Sequence, residues 1–178
     1  MKKFISLAII LFCISCNSKS EPSGTIKPSQ TVTRKNSGKI YPTQKEMEKF
    51  DTIIQSRNIQ ISIIKKDLDS YVLHESWGDN GNHIDKYRNA EITLTIKQNK
   101  NILLDTIFRK EQFVKSIGKE FSDIAIFHHY WFKKIHADKI EFFGVITEPE
   151  TDNTVDFSHY FNFKTKKLEY SESVYNEE

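Results

Sequence analysis

Apolar residues fall into three regimes along this chain. Phe4–Ile14 is an apolar run broken only by Ser6, behind the basic start Met1-Lys2-Lys3. From Asn17 to Lys39 only Ile26 and Val32 are aliphatic. Beyond residue 42 the apolar positions recur with structure-forming periods. Met47, Phe50 and Ile54 fit helical spacing behind the capping-box sequence Thr43-Gln44-Lys45-Glu46, which predicts a short helix over 44–56. The period then changes to two. Ile59, Ile61 and Ile63 predict a strand over 58–65, and Tyr71, Leu73 and Trp77 a second over 70–77. Gly78-Asp79-Asn80-Gly81-Asn82 reads as a loop. Ile92, Leu94 and Ile96 predict a third strand, which Asn99-Lys100-Asn101 turns back into a fourth over 102–108. Phe113, Ile117 and Phe121 at four-residue steps predict a helix over 110–121. Segments 124–135, 139–147, 155–163 and 168–173 predict four more strands. The first of these also fits a helix, which stays open as the alternative, and its content of Ile, Phe, Tyr and Trp favours strand.

Connections between these elements are short. Parallel pairing needs a crossover of about a dozen residues, which only the central helix would supply. The expected fold is therefore α+β, mainly β: a single antiparallel curled sheet or sandwich of about eight strands, with one or two helices packed on it. Residues 42–178 form one domain of ordinary size.

The N-terminal run has the order of a secretory signal: charge, apolar stretch, then a small residue before the cut. As a helix it would cover about 16 Å, against about 30 Å of bilayer hydrocarbon, so a spanning anchor is excluded. Cys13 follows bulky Phe12, whereas Cys16 follows Ser15. Here Cys13-Ile14-Ser15-Cys16 resembles the lipobox of bacterial lipoproteins, with Cys13 where that motif prefers leucine. The resemblance implies cleavage between Ser15 and Cys16, with diacylglycerol on the Cys16 sulfur and an acyl group such as palmitate on its nitrogen. Ordinary secretion is the alternative. Each buried methylene contributes about 0.8 kcal/mol, so two or three chains suffice for stable anchoring. Residues 16–41 then read as a lipidated N-terminus and flexible tether, too poor in apolar residues to offset its ordering entropy.

Charge and cysteine content narrow the chemistry. Basic residues concentrate in the tether, where Lys19, Lys27, Arg34, Lys35 and Lys39 face Glu21 alone. From Asp51 onward acidic residues outnumber basic ones, which argues against a nucleic-acid partner. The two cysteines are Cys13 and Cys16, so the domain holds no disulfide, thiolate nucleophile or Cys-ligated metal. Ser-x-x-Lys occurs at Ser62–Lys65 and Ser116–Lys119, as often as chance provides, without the companion motifs of acyl-transferring enzymes. Adjacent His128 and His129 would point to opposite faces of a strand, which denies them a shared ion. His129 and His159 are in register to meet across strands, and on apolar faces they read as hydrogen-bonded core histidines. The acidic stretch Glu148 to Asp152 matches no calcium loop and reads as a solvated turn. No metal, cofactor or catalytic residue is expected. Candidate ligand-binding side chains are Trp77, Tyr130, Trp131, His129 and His159, in a chain that is 12% aromatic.

Leu68-Asp69-Ser70-Tyr71-Val72, Phe108-Arg109-Lys110-Glu111-Gln112-Phe113 and Pro149 to Asp152 resemble landmarks of small Bacteroidota lipoproteins carrying a domain of unknown function. That resemblance spans about residues 58–173. It implies an exported, lipid-anchored α+β domain and no activity. The expectation is a non-catalytic binding or accessory module of the cell envelope. The membrane is contacted through the lipid, on the periplasmic side of the outer membrane with surface exposure as the alternative, and an envelope protein or glycan is the partner. The competing expectation is an envelope hydrolase whose site assembles from dispersed residues, such as His159 with a distant carboxylate.

Overall fold

The computed structural model describes residues 36–78 and 81–172. Ser15, Cys16, the signal segment and the tether up to residue 35 lie outside them, as do Asp79 and Asn80 of the expected loop. Among the described residues nine strands form two open sheets. The first contains β1 (Asn36–Tyr41), β2 (Met47–Ile54), β3 (Ile59–Gly78), β4 (Gly81–Gln98) and β5 (Asn101–Arg109). It runs β1-β4-β3-β2, with β5 also paired to β4. The second is the meander β6 (Ile126–Ile135), β7 (Lys139–Thr147), β8 (Thr154–Asn162) and β9 (Lys167–Glu172). Between the sheets in sequence lie a 3-10 turn at Lys110–Phe113 and the short helices α1 (Val114–Ile117) and α2 (Lys119–Ile124).

Period-two alternation builds the core. Ile61 and Ile63 of β3 stand opposite Ile96 and Leu94 of β4, all at most 2% exposed. From the second sheet Phe127, Ile140, Phe142, Ile146, Phe157 and Phe161 join the same cluster, none more than 1% exposed. Each such side chain contributes about 1.5–3 kcal/mol on burial. The expected sandwich of mainly antiparallel strands is what forms. On β7, Gly144 takes an inward position because the Phe157 ring of its cross-strand partner lies where a Cβ would go.

Several elements differ from expectation. Residues 47–54 are strand β2, not a helix. The Glu46 N–H donates to the Asp67 carboxylate at 3.0 Å, and the Asp67 N–H returns to the Glu46 carbonyl at 3.1 Å. Capping-box residues are thus spent on a neighbouring strand, and long-range pairing with β3 overrides local spacing. Met47, Phe50 and Ile53 remain exposed at this sheet edge. The last six residues of the expected tether form β1, which pairs parallel to β4. Its crossover is the whole β2–β3 segment, long enough to satisfy the geometry without a helix. Gly38 permits it, since a Cβ there would overlap the Ile84 carbonyl.

The expected strands over 58–65 and 70–77 are one strand, β3, broken at Leu68–Ser70 by a bulge opposite Asn89. Strand β4 likewise starts at Gly81, eleven residues before Ile92 of the expected third strand. The central helix is split at Gly118, whose φ of 82° favours glycine. Phe113 still packs into the core, with Ile117 and Phe121 against it.

Candidate functional site

A β-bulge undoes the alternation assumed for the histidine pair. Phe127 stands opposite Ile146 and His129 opposite Val145, so His128 is the extra residue between them. Both rings are exposed, with centroids 4.2 Å apart. Partial desolvation on its packed side, then His129 and Lys65, hold the His128 imidazole below its ordinary range against the opposing pull of Glu48. The expectation that the two rings point apart is therefore corrected, although among the described residues no three His, Cys, Asp or Glu side chains converge to hold a metal.

His128 lines a cleft of 480 Å³ at the end of the second sheet, with Val145, the Glu148–Asp152 turn and Tyr87 of β4. The turn is self-satisfied. Glu148 and Asn153 share a backbone bond at 2.9 Å and a side-chain bond at 2.9 Å, and the Thr151 hydroxyl donates to the Glu148 carbonyl. Tyr87 donates its hydroxyl to Glu150 at 3.0 Å, which clamps the turn to the first sheet. Burial first, then the Glu150 carboxylate, push the Tyr87 phenol well above its usual range. The hydroxyl acts as a fixed donor. The cleft presents hydrogen-bonding groups and negative charge but no base paired with a nucleophile.

The five candidate ligand-binding residues do not gather in one place. Tyr130 and His159 do meet, but in the core: 7% of each is exposed, and the hydroxyl and Nδ1 share a hydrogen bond at 3.2 Å. Burial lowers the His159 imidazole to about 4, so it is neutral. His129 is exposed on the other face of β6, against Trp131 at 5.8 Å, and does not meet His159. Trp77 lies at the far end of β3, opposite Asn82, and is 82% exposed.

Trp131 belongs to an outward aromatic strip. It is 39% exposed and packs on Phe143 of β7 at 4.8 Å, while Lys133 extends its ammonium over the Phe143 ring at 5.6 Å. Lys133 also pairs with Glu141 at 2.9 Å. That carboxylate is only 4% exposed and accepts further bonds from His136 at 3.2 Å and Ser158 at 3.3 Å. Burial pushes Glu141 up, but Lys133, His136 and Lys134 together outweigh it and hold the carboxyl below its ordinary range.

Sequence alone does not bring Glu141 or Tyr87 to a site, and it sets His128 apart from His129. Tyr87 lies in a stretch with no alternation to place it, and His128 depends on a bulge no local pattern announces. The three sequence landmarks do structural work. Arg88 donates to the Leu68 carbonyl and the Tyr71 hydroxyl and so holds the β3 bulge. Buried Lys110 donates to the Ala125 carbonyl at 2.6 Å, at the C-terminal end of α2. Glu150 takes the Tyr87 clamp.

The sequence profile of a protein family described as a domain of unknown function, DUF4738, matches residues 27–166. No curated protein matches the chain.

Proposed function

The chain belongs to the DUF4738 family, and from that premise we propose that it is a membrane-anchored lipoprotein of the cell envelope whose domain is a non-catalytic binding module. Cys16 carries the lipid after cleavage behind Ser15, and the anchored domain faces the periplasm from the outer membrane. Bacteroidota lipoproteins supply the analogy. The observation that carries the binding reading is the outward strip of His129, Trp131, Phe143 and Lys133. Flat aromatic faces beside a cation are surfaces on which a glycan ring or a partner's apolar side chain stacks. By contrast, the strongly shifted groups His159 and Tyr87 are engaged inside the fold. Trp131→Ala tests the reading. Retention of envelope protein or glycan by the lipidated chain is expected to fall at least about tenfold, as removal of a central aromatic anchor costs about 2 kcal/mol or more. Equal retention by both proteins, or recovery of the bait alone, would contradict it.

A further inference from the structure

The outer half of the β3–β4 hairpin has its polarity inverted. One face carries Ser76, His83, Asp85 and Tyr87. Asp85 there accepts the Lys39 N–H at 2.6 Å and the Ser76 hydroxyl at 3.1 Å, and lies 3.3 Å from the His83 imidazole. Tyr41 stacks on Tyr87 at 5.1 Å, and Asp85 and Tyr87 are buried. The opposite face carries Leu73, 60% exposed, and Trp77, 82% exposed. These two point the same way, about 13 Å apart at about 3.3 Å per residue. Exposed Lys86 stands opposite Leu73. A strand that met only water on this side would present polar residues to it.

We infer that this hairpin end lies on a lipid surface, with Trp77 and Leu73 at headgroup level. The inference rests on the lipid-anchor reading of Cys16. Two features select lipid as the occupant. Strand β1 begins at Asn36 beside His83, next to the hairpin end, so the chain leading back to Cys16 joins the domain there. Only residues 17–35 separate that point from the anchor. The sequence just ahead of β1 is also basic at Arg34 and Lys35, and Lys39 and Lys86 are exposed in the strands that follow, which suits an anionic bilayer. Tryptophan is the side chain that settles at the headgroup boundary. Exposed Glu75 on the same face limits the depth to that boundary.

Trp77 reports on this directly, because Trp131 is the only other tryptophan. The full chain carrying Trp131→Phe is to be placed, lipidated, on phosphatidylethanolamine–phosphatidylglycerol vesicles with and without shallow brominated acyl chains. Trp77 emission is expected to shift to the blue and to be quenched by bromine, and Leu73→Glu is expected to abolish both. Mass measurement of the mature N-terminus separates the two readings. A vesicle-bound protein with lipid on Cys16 but water-like, unquenched Trp77 overturns the hairpin inference alone. Absence of lipid on Cys16 overturns both. Trp77 that is unquenched on vesicles yet shielded from iodide by added envelope protein overturns the lipid surface in favour of a protein partner.

Discussion

His159 stands neutral among Phe108, Phe113, Tyr130 and Phe157, with Tyr130 sharing its Nδ1. Its folded value of about 4 lies below the ordinary 6.5. As pH falls from 6.5 to 4, the unfolded chain takes up a proton that the folded chain refuses, so stability declines across that window and levels off below it. The full loss is about 3 kcal/mol at about 1.4 kcal/mol per unit. Urea unfolding of wild type and His159→Gln between pH 7 and 4 should show this slope in wild type and a flatter one in the variant. Equal slopes would contradict the burial of a neutral ring. Glu141 works in a lower window. Held below its usual range, its carboxylate stabilises the fold above about pH 4.5 and ceases to do so as acid protonates it. Glu141→Gln should cost about 1–2 kcal/mol at pH 7, discounted because Lys133 and His136 are half exposed, and the cost should shrink as the pH is lowered through that range.

At the scale of the element, packing rather than propensity fixes the geometry. Gly144→Ala drives a Cβ into the Phe157 ring, which is fully buried and has no space to retreat. The expected cost is about 1–3 kcal/mol by chemical denaturation, and an unchanged midpoint would contradict the close approach of β7 and β8. How much of each strand the sequence discloses depends on burial of one face. Ile59, Ile61 and Ile63, and Ile92, Leu94 and Ile96, alternate because one side meets the core. Residues 82–91 mix polar and apolar groups on both faces, so β4 is legible only in its second half. Edge strands are harder still. On β2 the residues that suggested a helix, Met47 and Phe50, are exposed, and so carry no information about which side is buried. NSGKIY has two apolar residues, and β1 is held instead by Lys39, Gly38 and Tyr41 acting on partners over forty positions away. The cleft beside the Glu148–Asp152 turn is illegible for the same reason, since a bulge puts His128 beside His129 and a distant strand delivers Tyr87 to Glu150, whereas His129 and Trp131 of the aromatic strip are legible in the sequence.

At the scale of the molecule, the described residues form a two-sheet sandwich whose cohesion comes from a shared apolar core. With cysteine only at positions 13 and 16, the domain has no disulfide to lose, and its thermal midpoint should be the same with and without reductant. A drop on reduction would mean that a linkage to another molecule supports it. Among the described residues no helix is long and apolar enough to cross a membrane. The proposed attachment runs through the Cys16 sulfur. Growth with labelled palmitate tests it most directly. Label should enter the wild-type protein and be absent from Cys16→Ala, and the mature wild-type chain should begin at position 16. An unlabelled wild-type product, or a Cys16→Ala protein that still incorporates label, would contradict the account of a lipid-tethered binding module.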